Sequence, residues 1–397
     1  MIDLLPLPAD LPQPVVTGTP PNRSDGTGES GDMDISVYFS VAGNYGRYVV
    51  TSGSFPPGIN MDEGSGRITG QIDISANPTP AAPAISYPVT ISYLSVKAPV
   101  SVSFTWDVVR VFRAAFAADT GDDNGAAMYM SNSMERFKPE LVLIGGDNNY
   151  PLGEAATLDN GIDVYQRWFD REKLIACYGN HDLDNNLADP HVPQFDKFYY
   201  LPGNRRYYSW VEGNIEFFCI TTGKDSASNE YEPDGNEVGS VQHQWFVAAA
   251  AASTAKFKVV FFHHGYAVAS RSTGTSAMDR DDPRMNWFFE EHGIDLVLNG
   301  HNHATTQMDY TGPSGGTIPL INASSAVRPP LVIDPAGPFV DIGSVVLNYT
   351  YDVDGAGNPT GETRYWCSLE TRGNDLTAKI VSSVDDTSPH QVLITKP

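Results

Sequence analysis

Five strand-like apolar runs in the middle of the chain each end in a side chain that can bind a metal ion. In order, the runs are 114–118, 141–144, 174–178, 259–262 and 296–298, and the side chains that follow them are Asp119, Asp147, Asn180, His263, and His301 with His303. Ligands of open α/β sheets bind beyond the carboxyl ends of the strands. The five runs therefore predict that all of these side chains lie along one rim of one sheet.

Helical patterns separate the runs, and together they predict one domain over residues 111–397. Apolar residues recur at spacings of three and four in Ala127, Met130, Met134 and Phe137. Further helices are predicted over 164–171 and 242–252, and strand patterns return at 345–351 and 376–381. Strands that alternate with helices are typical of βαβ units, so the predicted fold class of this domain is α/β or α+β.

The amino-terminal quarter of the chain has a different pattern. Residues 33–110 alternate with a period of two between clusters of turn residues, which predicts an all-β sandwich. Residues 1–32 are rich in Pro, Gly, Ser, Thr and Asp, which predicts an extended arm that docks on a partner. Residues 55–70 resemble a signature of immunoglobulin-like domains in bacterial surface and phage proteins. That resemblance implies an Ig-like sandwich with a spacer or adhesive role.

The charge and apolar content of the chain limit its partners. The formal net charge is −23 at pH 7 without a cluster of Lys and Arg, so we expect no nucleic acid partner. No apolar run reaches the roughly 18 residues of a membrane span, so we expect no membrane partner. The chain is rich in Gly, Pro, Tyr and Phe and has only 18% charged residues, which is typical of extracellular β-rich proteins. Since the amino terminus lacks a Sec-type signal, we expect an extracellular or virion-associated protein that is released by another route.

The residue types at the predicted rim indicate the class of metal. Carboxylate, imidazole, amide and phenolate groups suit Fe, Zn or Mn, and the three widely spaced cysteines fit neither a zinc site nor a disulfide framework. Asp147 ends the central run and is therefore the candidate to bridge two ions. Taken singly, Asp147 is better explained as a turn cap, and His301 and His303 are equally well solvated loop histidines. The order of five such blocks favours the metal site.

These blocks resemble the calcineurin-like metallophosphoesterases over residues 110–310. They are Asp119-x-Gly121, Gly146-Asp147-x-x-Tyr150, Gly179-Asn180-His181-Asp182, Val260-x-x-His263 and Gly300-His301-x-His303. Most relatives have a histidine at the place of Gly121. This chain instead has Tyr150 three residues after the second aspartate, which is the pattern of the purple acid phosphatases. The resemblance implies a four-layer metallophosphoesterase β-sandwich flanked by helices.

The resemblance also implies two ions with divided ligands. It implies Fe(III) on Asp119, Asp147, Tyr150 and His303, and a divalent Fe, Zn or Mn on Asp147, Asn180, His263 and His301. A metal-bound hydroxide would then attack the phosphorus, and His181 would stabilise charge or protonate the leaving oxygen. A further phosphate-contacting histidine of the family is missing, and Arg271 is the candidate to replace it. His264 and Asp182 are expected to support ligands rather than to bind ions.

Three functions follow from these observations. The first is a binuclear metal-dependent phosphatase of the purple acid phosphatase type, with a small phosphomonoester as its substrate. The second is a phosphodiesterase or nucleotidase that uses the same site. The third is a structural or adhesive component of a virion or surface filament, in which the phosphatase fold serves mainly as an accessory domain. In the third case, the amino-terminal arm and the Ig-like domain would join the chain to a protein assembly.

Overall fold

The structure is a computed structural model of the chain. It describes residues 12–41, 46–79, 83–122, 125–183, 193–223, 231–266, 286–303, 305–324, 344–351, 364–388 and 390–396. The chain divides into two compact units, residues 1–111 and 112–397. No helix among the described residues is both long enough and apolar enough to cross a membrane.

The first unit is built from strands. They are β1 (Val15–Val16), β2 (Arg23–Gly26), β3 (Ser30–Asp34), β4 (Phe39–Ser40), β5 (Arg47–Gly53), β6 (Ile59–Met61), β7 (Arg67–Gln71), β8 (Ile85–Leu94) and β9 (Val100–Val109), with short 3₁₀ helices at Ile35–Tyr38 and Ile74–Ala76. One sheet has the order β2-β9-β8-β5, a second has β3-β7-β6, and β1 pairs with β4. Alternate residues of β8 and β9, such as Ile91 and Trp106, are buried in its core. The predicted all-β amino-terminal region is confirmed.

Residues 12–32 differ from the extended arm predicted over residues 1–32. In the structure, β2 pairs in parallel with β9, and β3 pairs antiparallel with β7. The guanidinium of Arg23 lies 4.6 Å from the centroid of the Trp106 ring. A polar, glycine-rich composition predicted an arm, but these strands are held by main-chain hydrogen bonds and by stacking, which need few apolar side chains. Residues 1–11 lie outside the described residues.

The second unit combines strands with six short helices. Its strands are β10 (Val111–Ala117), β11 (Leu141–Gly145), β12 (Leu174–Cys177), β13 (Tyr208–Glu212), β14 (Ile215–Cys219), β15 (Phe257–Phe262), β16 (Leu296–Asn299), β17 (Thr305–Thr311), β18 (Thr317–Ala323), β19 (Ser344–Tyr351), β20 (Tyr365–Arg372), β21 (Asp375–Ser382) and β22 (His390–Thr395). Its helices are α1 (Gly125–Phe137), α2 (Leu158–Ile162), α3 (Gln166–Phe169), α4 (Asn180–Leu183), α5 (Pro193–Lys197) and α6 (Val241–Ala252), with 3₁₀ helices at Asp163–Tyr165 and Phe289–His292. The counts refer to the described residues only.

Two sheets pack face to face in this unit. The first has the order β12-β11-β10-β20-β21-β22, and the second has β13-β14-β15-β16-β18-β17-β19. One core cluster contains Leu143 of the first sheet and Phe261 of the second, together with Met130 of α1. A second cluster packs Phe246 of α6 against Val260 of β15. This arrangement of helices, two sheets and helices confirms the metallophosphoesterase fold class that the sequence predicted.

The five metal-bearing runs do not lie on one sheet, as predicted, but on two. The runs before Asp119, Asp147 and Asn180 become β10, β11 and β12, which pair in parallel in the first sheet. The runs before His263 and His301 become β15 and β16, which pair in parallel in the second sheet. A strand that is buried on both faces is apolar throughout in either sheet. Its sequence therefore does not indicate which sheet it joins.

Ser240 caps the amino terminus of α6. Its side-chain oxygen accepts a hydrogen bond from the backbone N–H of His243 at 3.2 Å. We expect Ser240→Ala to lower the free energy of unfolding by about 1 kcal/mol, because one backbone donor of the first turn loses its partner. Chemical denaturation of the full chain measures the change. Ser240→Thr keeps the hydroxyl and serves as the control, so an alanine variant as stable as the threonine variant would contradict this role.

Candidate metal centre

The candidate ligands stand on loops that leave the strands with unusual backbone angles. The φ values of Asp119, Asp147, His301 and His303 are 59°, 52°, 72° and 48°. Residues other than glycine rarely adopt this left-handed region, and those that do are concentrated at functional sites. The side chains of Asp119, Asp147 and His263 are almost completely buried, and each offers a ligand atom within 4.8 Å of the others. The geometry thus brings the first, second and fourth sequence blocks together.

The Tyr150 hydroxyl is the centre of a first group of donor atoms. It lies 2.9 Å from Asp147 Oδ2, 3.2 Å from Asp119 Oδ1 and 3.3 Å from His303 Nε2. The same His303 nitrogen lies 3.3 Å from Asp119 Oδ1. A phenol, two carboxylates and an imidazole therefore converge on one point, which we call cluster 1 (Asp119, Asp147, Tyr150 and His303).

The His263 ring is the centre of a second group. Its Nε2 atom lies 3.2 Å from Asn180 Oδ1, 3.2 Å from Asp147 Oδ1 and 3.3 Å from His301 Nδ1. We call these residues cluster 2 (Asp147, Asn180, His263 and His301). Asp147 belongs to both clusters, since its Oδ2 faces cluster 1 and its Oδ1 faces cluster 2. One carboxylate thus links two neighbouring sets of oxygen and nitrogen donors.

The donor set of cluster 2 fits a bound cation. His263 Nδ1 lies 2.8 Å from the carbonyl oxygen of Gly145, to which it can only donate. In a neutral imidazole, Nε2 then carries a lone pair, and that lone pair faces two oxygen acceptors. Burial alone lowers the pKa of His263, but the Asp147 carboxylate outweighs burial and raises the pKa to about 10. The Asp147 carboxylate therefore favours a positive charge at this point, from a proton or from a bound cation.

The charge of Asp147 is favoured by the same neighbours. Burial acts to raise the pKa of this carboxyl, but the positive charge of His263, with His181 and His301, holds it well below its usual range. The backbone N–H of His181 also donates to Asp147 Oδ1 at 2.9 Å. A carboxylate that remains charged when buried is suited to bridge two cations.

There is no space for a side chain at residue 121, because the loop that carries Tyr150 lies directly against Gly121. A Cβ atom at residue 121 would lie 2.2 Å from the backbone nitrogen of Asn149. Gly121 N donates to Asp147 O at 2.9 Å, and Tyr150 N donates to Gly121 O at 3.1 Å. The loop that carries Tyr150 occupies the space that a side chain at residue 121 would need. The absence of an imidazole at residue 121 and the presence of the Tyr150 phenol are therefore linked by packing.

His181 lies beside cluster 1 and is partly exposed. Its Nδ1 donates to the carbonyl oxygen of Pro151 at 2.6 Å, and its ring centroid is 4.5 Å from that of Tyr150. Since the Pro151 carbonyl accepts from Nδ1, the nitrogen left to exchange a proton is Nε2. Arg271, the other predicted catalytic residue, lies outside the described residues.

Asp182 connects the two loops that carry Asp147 and Asn180. Its Oδ2 accepts from Asn148 Nδ2 at 2.9 Å and from Gly179 N at 2.8 Å, and its Oδ1 accepts from Gln194. Burial, followed by the charge of Asp147, raises the pKa of Asp182 to about 7. The supporting role predicted for Asp182 agrees with these contacts. Asn148 and Gln194 were not predicted, and Gln194 lies on the separate helix α5, where no sequence signal marks it.

His264 lies directly behind cluster 2. Its ring stacks on Tyr231 with centroids 5.8 Å apart and lies 4.5 Å from the ring of His301. The hydroxyl of Thr222 is 3.3 Å from its Nδ1. These contacts agree with the prediction that His264 supports a ligand. Thr222 and Tyr231 were not predicted, because they come from a stretch between the sequence blocks.

Comparisons with known proteins identify the family. The model of the calcineurin-like phosphoesterase family matches residues 112–305. Among solved structures, the purple acid phosphatase PPD1 from yellow lupin (Lupinus luteus) seeds is similar with a TM-score of 0.51 and 10% identity, over 90% of this chain and 71% of that chain. GAP50, the anchor in the inner membrane complex of Plasmodium, has a TM-score of 0.48 and 13% identity, over 72% and 89% of the two chains. No curated protein matches the chain in sequence.

The family match and the geometry coincide on the same segment. The matched residues contain all of the blocks from Asp119 to His303 and the strands that carry them. Because the identity to the lupin enzyme is only 10%, that likeness shows a shared fold and nothing more. The family uses a dinuclear metal centre, and the buried group of Asp119, Asp147 and His263 lies where its blocks predict one. Residues 112–305 are therefore a calcineurin-like phosphoesterase domain, and the chain carries a metallophosphoesterase hydrolase of that family.

Proposed function

We propose that the chain is a binuclear metal-dependent phosphatase of the purple acid phosphatase type, which hydrolyses phosphomonoesters. The observation that supports this most is the position of Asp147 between two donor clusters. Its two carboxylate oxygens lie 2.9 Å from the Tyr150 hydroxyl and 3.2 Å from His263 Nε2, respectively. A shared carboxylate with separate donor sets on its two oxygens suits two ions rather than one.

The residues present fit an unequal pair of ions. Cluster 1 would hold the first ion through Asp119, Asp147, Tyr150 and His303, and cluster 2 would hold the second through Asp147, Asn180, His263 and His301. The phenolate of Tyr150 favours a trivalent ion, so we assign Fe(III) to cluster 1. Imidazole, amide and carboxylate donors favour a divalent Fe, Zn or Mn in cluster 2. When bound, the two ions would supply Lewis acidity and lower the pKa of a water molecule.

The side chains of this protein then have separate tasks in hydrolysis. His181, fixed through its Nδ1 by the Pro151 carbonyl, offers Nε2 to stabilise the phosphate charge or to protonate the leaving oxygen. Asp182 holds Gly179 and Asn148 in place and so orients the loops of Asn180 and Asp147. Burial of Asp119, Asp147 and His263 excludes water from the inner side of the site. That exclusion strengthens every electrostatic contact within it.

Metal content and turnover test the proposal directly. We expect the purified chain to bind two metal ions and to hydrolyse an aryl phosphate monoester faster than the matching bis(aryl) diester. His301→Ala removes a cluster 2 donor and should abolish turnover. Elemental analysis and a chromogenic assay on both substrates measure these results. A chain that binds no metal, or that cleaves only the diester, would overturn the assignment to phosphomonoesters.

Tyr150→Phe tests the assignment of the first ion. If a phenolate of this residue binds Fe(III), the native protein should have a visible charge-transfer band, and the variant should lose it. The phenyl ring retains its packing in the core, so the variant should remain folded. Visible absorption of the iron-loaded protein measures the band.

Tyr165→Phe is the matched control for this experiment. Tyr165 is fully buried in the same core, and its hydroxyl has no hydrogen-bond partner among the described residues. Its loss should leave the band unchanged, and it should not destabilise the fold. A band that survives in Tyr150→Phe would sink the purple acid phosphatase subclass and would leave the fold assignment intact.

A further inference from the structure

The backbone at His301 has a strained form. Asn302 N donates to Gly300 O at 2.9 Å, which closes a three-residue γ-turn around His301. The φ of His301 is 72°, and γ-turns with a positive central φ are rare and strained. Such a conformation persists only where the surrounding structure holds it. The neighbours of Gly300 and His301 therefore decide where the His301 ring can lie.

Two of these neighbours come from the other sequence blocks. Gly300 N donates to His263 O at 2.9 Å, and His301 N donates to Asp119 Oδ2 at 3.0 Å. Both contacts fix the amide nitrogens of the turn. The carbonyl oxygen of Gly300 accepts a second hydrogen bond, from Asn322 Nδ2 at 3.0 Å. Asn322 thus acts on the same oxygen that closes the γ-turn.

Asn322 comes from a strand outside the segment that matches the family. It lies on β18, beside β16, with Asn299 as its partner in the parallel register. It is 2% exposed, and its Oδ1 has no hydrogen-bond partner among the described residues. Burial of a half-satisfied amide opposes stability, and the preceding residue on the same face of β18 is the apolar Leu320. The hydrogen bond from its Nδ2 to Gly300 O is therefore the contact that explains an amide at this position.

We propose that Asn322 is a positioning residue for the second ion. Its Nδ2 holds the Gly300 carbonyl in the γ-turn, and the turn directs His301 Nδ1 towards His263 Nε2, 3.3 Å away. The inference rests on the proposed function only in assigning His301 as a metal ligand. Loss of such outer contacts weakens metal binding by about 10- to 100-fold in known sites. We expect a loss of that size for the ion in cluster 2.

Asn322→Leu tests this role, with Asn299→Leu as the matched control. Both residues are buried asparagines, aligned on neighbouring strands, and neither amide atom of Asn299 has a hydrogen-bond partner among the described residues. Equilibrium dialysis of the metal-free full chain against Zn²⁺ measures both binding constants, and thermal melting of the metal-free chain measures stability. We expect Asn322→Leu to weaken the second Zn²⁺ by about 10- to 100-fold without a lower melting temperature. Asn299→Leu should leave both constants within about twofold of the native values.

The outcomes separate this inference from the proposed function. If the native chain binds two Zn²⁺ ions but hydrolyses no phosphomonoester, the function fails and the binding constants still decide the role of Asn322. Equal Zn²⁺ affinity in Asn322→Leu and the native chain overturns the inference, as does a native chain that binds no Zn²⁺. If Asn322→Leu does not fold, Asn322→Ala replaces it, since alanine removes the same donor and adds no volume.

Discussion

Asp147→Asn is expected to reduce phosphatase activity by about 10³-fold or more. Asparagine keeps the volume of the side chain and one of its oxygens, but it removes the negative charge that both clusters share. Metal ions contribute several kcal/mol of transition-state stabilisation, and each 1.36 kcal/mol corresponds to a tenfold change in rate. Solvent has little access to residue 147 to compensate for the lost charge, because Asp147 is 1% exposed. We expect the metal content to fall from two ions to one or fewer.

Elemental analysis and steady-state kinetics on an aryl phosphate measure both parts of this expectation. Asp159→Asn is a suitable control, since Asp159 carries the same charge but lies at the surface, paired with Lys197. It should keep two ions and the native rate. Two bound ions and a native rate in Asp147→Asn would exclude Asp147 as the shared ligand and would leave the two-ion proposal without its main support.

Gly179→Ala is expected to reduce activity through packing rather than charge. A Cβ atom at residue 179 would lie 2.1 Å from Asp147 Oδ1 and 2.4 Å from Asp147 N, which forces the shared carboxylate to move. Misplacement of a reacting group by about 1 Å can reduce a rate by about 100-fold. We therefore expect about a 100-fold loss of activity, with a loss of about 1–3 kcal/mol in stability from overpacking.

Thermal melting and kinetics of the metal-loaded chain separate these two effects. Gly64→Ala provides the comparison, because its added Cβ would meet only Asp62 Oδ1, at 3.4 Å. That variant should match the native chain in rate. If Gly179→Ala also keeps the native rate, Asp147 tolerates a shift that the proposed geometry forbids.

The order of strands and ligands could be predicted because each block combines an apolar run with a polar terminus. Asp119, Asp147 and His263 meet as a buried group in the structure. The pairing of Gly121 with Tyr150 was also visible in the sequence, and the close contact between residue 121 and the Asn149 backbone supplies its physical cause. Each block is local, so a motif of a few residues contains it.

Features that depend on long-range placement were not predictable in the same way. The division of the five runs between two sheets depends on pairing partners, which apolar composition does not specify. Strands β2 and β3 were hidden by polar composition, because their main chain rather than their side chains joins them to β9 and β7. Gln194 contacts Asp182 from another helix, and Asn322 contacts Gly300 from another strand, so neither stands near a motif.

The division of the ligands between two sheets has a mechanical consequence. Asp119, Asp147 and Asn180 follow strands of the first sheet, while His263 and His301 follow strands of the second. An ion in cluster 2 would therefore act as a cross-link between the two layers, and the layers could not separate without releasing it. Interactions that break before the unfolding transition state slow unfolding more than they speed folding. The metal centre would then lengthen the lifetime of the folded chain as well as serve its chemistry.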